Sequence, residues 1–130
     1  MEFCKFEKKL MQMLLVGKSA TLQQLRKQYL SSVVVSREIT SVGFFTTFSI
    51  QGEVDMLEGN KTFQIGDVDG KINSTDEAVG FILYIRNGVI STLEGYTNIM
   101  DQWPKDAEKI ELKYDSGKRR DFKKLEQKMK

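Results

Sequence analysis

The sequence predicts an α+β fold: two N-terminal helices packed on one face of a mainly antiparallel sheet of about six strands, followed by a short C-terminal basic helix or tail. Three observations carry this. Apolar residues recur at helical spacing up to about residue 30, then switch to the alternation of strands. Asn87-Gly88 stands between two apolar, β-rich runs, which is the signature of a two-residue hairpin. Helical segments come first and strands follow, an order that places the helices against one side of a sheet.

The elements follow in chain order. Over residues 2–16, Phe3, Phe6, Leu10 and Met13 form an apolar stripe with Leu14 beside them, and Gly17 closes the helix. Ser19 or Thr21 caps a second helix with Leu22, Leu25 and Tyr29 inward and Gln23, Gln24, Arg26 and Lys27 outward. Val33 to Ile39 and Gly43 to Ile50 read as strands, the second carrying Phe44, Phe45, Phe48 and interleaved threonines. Residues 51–60 read as a loop. Phe63, Ile65 and Val68 alternate in a third strand, ended by a turn at Asp69-Gly70. The hairpin runs from Val79 to Arg86 and from Val89 to Tyr96. Residues 97–103 read as a connection or short helix that Pro104 ends, and Ile110, Leu112 and Tyr114 form the last strand. Phe122, Leu125 and Met129 share one helical stripe in the tail. Residues 1–115 form one domain, and 116–130 a basic tail or short helix.

Composition narrows the chemistry. The chain has 130 residues, no histidine and one cysteine. Histidine-based metal sites, catalytic triads and the usual proton shuttle near neutral pH are thereby excluded, as is any intrachain disulfide. The Gly-rich phosphate-binding patterns are lacking. No stretch reads as a signal peptide or membrane span, so the expected location is the cytoplasm, with no membrane partner. No cofactor or metal is expected. The net charge of +2 divides unevenly. Residues 116–130 hold seven basic and two acidic side chains, and residues 1–115 hold thirteen and sixteen.

Candidate site residues follow from what remains. Glu38, Glu94, Asp67 and Asp101 are carboxylates near strand ends, suited to acid–base work if two converge and otherwise solvated or paired with Arg37 and Arg86. Asp67-Val68-Asp69-Gly70 has part of a calcium-loop pattern, but Ile65 falls at its first ligand position and Asp76 at its twelfth. Cys4, beside Phe3, reads as a buried structural thiol. Tyr96 and Trp103 flank the connection after the hairpin and suit a binding surface; Glu94 and Tyr96 share a strand parity and point the same way. Lys118, Arg119, Arg120, Lys123 and Lys124 could neutralise phosphates, although a solvated helix is the simpler reading and Phe122 is the one aromatic among them.

Three stretches stand out together: Ser41-Val42-Gly43-Phe44-Phe45-Thr46-Thr47-Phe48, Val79-Gly80-Phe81-Ile82-Leu83-Tyr84, and Leu93-Glu94-Gly95-Tyr96-Thr97 with Trp103-Pro104. Over residues 20–114 this order resembles a group of small bacterial proteins that carry no assigned activity. The chain departs from it in its Lys-rich ends and in Asn98-Ile99-Met100. The resemblance implies a bacterial cytoplasmic origin and draws attention to Glu94–Trp103.

The leading expectation is a non-enzymatic protein-interaction domain, in one version an immunity-type protein that neutralises a toxin. Its contacts would be Arg37, Glu38, Glu94, Tyr96 and Trp103, and its partner a protein not named by the sequence. A homodimer through an exposed strand or the first helix is compatible with the pattern. The alternatives are a small-ligand binder or enzyme using Glu38 and Glu94 with Tyr96, and weak nucleic-acid binding through the basic tail.

Overall fold

The computed structural model describes residues 3–72, 78–97, 103–104, 106 and 109–130. Helices α1 (Lys5–Leu15) and α2 (Ala20–Leu30) are followed by strands β1 (Ser32–Ile39) and β2 (Gly43–Ile50). A 3-10 turn (Glu58–Asn60) leads to β3 (Phe63–Ile65), β4 (Val68–Ile72), β5 (Ala78–Arg86), β6 (Val89–Thr97), β7 (Ile110–Tyr114) and helix α3 (Phe122–Lys128). The described strands number seven, one more than the alternation suggested. All pair antiparallel, in the order β1-β2-β6-β5-β4-β7, with β3 also on β5. No described helix is long and apolar enough to cross a membrane.

Each helix begins where a side chain can satisfy free amides. Ser19 Oγ accepts from the Leu22 amide at the start of α2, and Asp121 Oδ1 from the Lys124 amide at the start of α3. At the start of α1, Glu7 reaches back to the Cys4 amide, at 2.8 Å. The apolar stripes of the helices lie on one sheet face. Phe6, Leu10, Met11, Leu14, Leu22 and Leu25 join Val34, Phe44, Phe48, Leu93, Phe81, Leu83 and Ile85 in one buried core. Phe81, with no exposed surface, lies within ring contact of Phe6, Phe44 and Trp103. Burying such a ring contributes roughly 2–3 kcal/mol.

The β5–β6 hairpin forms as its turn residues require. Asn87 and Gly88 take φ of 52° and 80°, the two positive values of a type I′ turn. Buried Gln28 ties α2 to this turn. Its Nε2 donates to the carbonyls of Gly88 (2.9 Å) and Asp55 (3.1 Å), and its Oε1 accepts from the Ile90 amide (2.9 Å).

Two local expectations are corrected. Asp69-Gly70 is not a turn: both residues lie inside β4, paired with Gly80 and Val79 of β5 and with Lys113 and Leu112 of β7. Gly70 serves close packing, since a Cβ there would lie 2.4 Å from Ile110 and 2.8 Å from Val79. The break comes earlier, at Gly66-Asp67, where one line of chain along β5 divides into β3 and β4. Cys4 is exposed rather than buried, because α1 starts at Lys5 and leaves Cys4 at its cap, beside the Phe3–Phe6–Leu10 stripe rather than in it.

The tail is part of the packed structure. Leu125 and Met129 of the α3 segment are buried in the core. Arg120 reaches inward, with Nε and Nη2 on the Asp67 carboxylate (2.7 and 3.0 Å), Nη1 on the Val16 carbonyl (2.9 Å) and Nη2 on the Leu14 carbonyl (2.6 Å). It thus satisfies carbonyls at the end of α1 that have no partner within the helix. Tyr114 and Phe122 lie over its guanidinium, 5.5 and 6.0 Å from their ring centres.

Candidate functional site

Strand alternation sorts the sequence-selected residues onto two faces. Arg37 is opposite Thr46 and Ile39 opposite Phe44 on the helix-covered face; Glu38 is opposite Phe45 on the open one. A bulge between Val34 and Ser36 sets this parity. Glu94 and Tyr96 share the open face, while Leu93 and Gly95 are buried beneath the helices. Trp103 packs on Phe44 and Phe81, 5.3 and 6.0 Å between ring centres, and so belongs to the covered side. Tyr96 and Trp103 therefore form no single surface. Asp101 lies outside the described residues, as do Asp76 and most of 97–103.

The open face has two halves. Toward β7, acid meets base in register: Asp69 opposite Lys113, Lys71 opposite Glu111. Burial is the main cause that raises the Asp69 carboxyl above its ordinary pKa, helped by the nearby Asp115 charge. Toward β1 the row reads Glu38, Phe45, Glu94, Ile82 across four strands. Glu38 and Glu94 thus flank Phe45, about 9–10 Å apart by strand spacing, too far to share a proton and with an aromatic ring between them. Phe45 is 38% exposed. Tyr84 donates to Glu94 Oε1 at 2.6 Å, and this bond, followed by burial, pushes the phenol up to about 12. Arg86 stacks over the Tyr84 ring, 5.1 Å from its centre. Tyr96 lies across Gly80, where a Cβ would come within 2.3 Å of its ring.

On the covered side, α1, β1, β2 and the Trp103-Pro104 segment enclose a cleft of about 290 Å³. Phe6, Phe44, Trp103, Pro104 and Ile39 give it an apolar lining, to which Cys4, Thr40, Glu7 and Arg37 also contribute. Arg37 holds Glu7 with two bonds, Nη2 to Oε1 at 2.6 Å and Nε to Oε2 at 3.0 Å. Thr46 Oγ1 donates to Oε2 at 2.5 Å and the Cys4 amide to Oε1 at 2.8 Å. Burial alone would raise the Glu7 pKa, but the bonds from Arg37, Thr46 and Cys4 and the Arg37 charge outweigh it and leave it lowered. Glu7 is therefore an ionised acceptor with each oxygen accepting twice. Sequence reading selected Arg37 and Trp103 as contact residues together with Glu38, Glu94 and Tyr96, and missed Glu7 and Thr46. The signal was present, since Glu7 stands four residues after Phe3 and three before Leu10, an acid set in the buried stripe.

The three sequence words that stood out are explained by packing. β2, β6 and β5 are neighbours, and Phe44, Gly95 and Phe81 lie in one row on the covered face, Gly43, Tyr96 and Gly80 in one row on the open face. A Cβ at Gly95 would meet Phe44 at 2.3 Å and Trp103 at 2.9 Å. Gly95 and Gly80 thus each admit an aromatic ring, while Gly43 admits the backbone of Gly95.

The basic cluster loses its central member. Arg120 is buried and engaged as described above, whereas Lys118, Arg119, Lys123 and Lys124 remain exposed. Asp67 is Arg120's partner. Among the described residues no group of three or more acidic or cysteine side chains is placed to hold a metal ion. The fold and these two surfaces define an α+β protein with a half-covered antiparallel sheet. Comparison with family models, curated proteins and solved structures returns no match to the chain.

Proposed function

We propose that this chain is a non-catalytic protein-interaction domain whose contact surface is the β1–β5 half of the open sheet face. One observation carries the reading: Phe45 stands partly exposed between Glu38 and Glu94, with Tyr96 diagonal to it on β6 and Ile82 and Tyr84 on β5 beyond. An exposed aromatic centre with a polar rim is the composition of a protein contact surface. Glu38 and Glu94, on either side of Phe45, suit cationic groups on the partner, as an immunity-type protein would need against a toxin with a cationic surface. On the opposite half acids stand opposite lysines in register across β4 and β7, whereas Glu38 and Glu94 stand opposite Phe45. The saturated Glu7 carboxylate has no acceptor capacity left for proton transfer, which supports a binding role over a catalytic one.

Photo-crosslinking tests this. With p-benzoylphenylalanine in place of Phe45 in the full chain, a discrete protein from the source-cell lysate should become attached on irradiation. The same group in place of Phe122, 42% exposed on α3, should not attach that protein. Equal products from both positions, or none from position 45, would refute the reading.

A further inference from the structure

We propose that the cleft beside Trp103 is a binding site for a small, uncharged, ring-bearing molecule. It lies on the opposite side of the sheet from the acidic face and is independent of the reading given for that face.

Size sets the first limit. A volume of about 290 Å³ equals about ten waters at roughly 30 Å³ each. That suits a molecule of two or three aromatic rings. The wall sets the second. Phe6, Phe44 and Trp103 are aromatic and Pro104 is apolar, the lining that ligand pockets share. Trp103 packs by its edge on Phe44, at 69° between ring planes, and remains half-buried.

The Glu7–Arg37 pair sets the charge. Glu7 already accepts four hydrogen bonds, so an incoming cation meets a carboxylate with filled acceptor positions. Two arms of the Arg37 fork are clamped on that carboxylate, so an incoming anion must compete with an internal partner held at 2.6 Å. The pair is neutral as a unit and discriminates against both charges. Among the described lining residues, Thr40 offers a modest polar contact. Thr40 Oγ1 makes only long bonds, 3.3 Å to the Gly43 carbonyl and 3.3 Å from the Val42 amide, and can exchange one for a ligand N–H or hydroxyl.

Two singular residues make this directly measurable, because Trp103 is the one tryptophan and Cys4 the one cysteine, and both line the cleft. The probe is N-phenyl-1-naphthylamine, two aromatic groups joined by an N–H with no charge. Its comparator, 1-anilinonaphthalene-8-sulfonate, has the same skeleton plus a sulfonate. The full wild-type chain should brighten the neutral probe, with Trp103 emission falling through energy transfer, and should bind the sulfonate at least about tenfold more weakly, a gap of about 1.4 kcal/mol. At nine-tenths occupancy the neutral probe should slow N-ethylmaleimide modification of Cys4 about tenfold, because only the unoccupied fraction reacts. Conversely, protein with Cys4 already modified, its fold checked by circular dichroism, should lose probe binding. Equal binding of both probes would overturn the charge argument. Failure of the neutral probe to bind, or binding that leaves Cys4 reactivity unchanged, would overturn the site.

Discussion

Substituting Glu7→Gln isolates the polar centre of the covered face. The side chain is 3% exposed and its Arg37 partner 26%. Glutamine keeps the shape but exchanges one acceptor oxygen for an NH₂ group. Whichever way the amide turns, that group faces donors: Arg37 Nη2 and the Cys4 amide on one side, Arg37 Nε and Thr46 on the other. Removing one partner of a buried pair costs about 3–5 kcal/mol. Water reaching the partly exposed Arg37 reduces this to about 2–4 kcal/mol. In a domain whose total stability is about 5–15 kcal/mol, the melting temperature should fall by roughly 10 °C. Urea denaturation of wild type and variant should show a lower midpoint with an unchanged slope. The effect must also depend on pH in one direction. The folded pKa of Glu7 lies below its ordinary 4.5, so its stabilisation is complete above that value and is lost as pH falls through the lowered folded value. The gap between the two proteins should therefore be constant at neutral pH and close in acid. A variant within about 0.5 kcal/mol of wild type at pH 7, the range of ordinary surface substitutions, would refute the assignment of Glu7 as the ionised centre of this network.

Gly95→Ala should destabilise by about 1–3 kcal/mol through overpacking against Phe44 and Trp103, with the Trp103 emission moving to longer wavelength as its ring is displaced. Arg120→Met should cost about 3 kcal/mol by leaving Asp67 and the carbonyls of Leu14 and Val16 unpaired; limited trypsin digestion should then release the 116–130 segment sooner than from wild type. Tyr84→Phe should remove an ultraviolet-detected phenol ionisation near pH 12 while the other tyrosines titrate as before.

The legible part of the fold was local. The helix stripes needed only 3.6-residue spacing, and the hairpin only two adjacent residues able to take positive φ. Asp69-Gly70 carries the same turn chemistry, yet tertiary packing claims Gly70 for the space between Ile110 and Val79. The faces of the site were half legible. Parity placed Glu94 and Tyr96 together, but the relation of Arg37 and Glu38 to the two faces depends on the β1 bulge, which no sequence feature announces. Trp103 follows the hairpin closely in sequence and was grouped with Tyr96, whereas its ring fills the space left by Gly95 on the other side. Arg120 belonged to a charge run by composition. Only its long-range partners, 53 to 106 residues away, distinguish it from its solvated neighbours.

The central claim is that the acidic, aromatic half of the open face is the contact surface. The most direct test is the affinity of the crosslinked partner, once purified, for full-length wild type and for the Glu38→Lys/Phe45→Ser double variant by titration calorimetry, with circular dichroism confirming that both are folded. Loss of a central aromatic and a charge reversal should weaken binding at least about a hundredfold, or about 2.7 kcal/mol. Equal affinity for both proteins would contradict the account and move the contact away from this face.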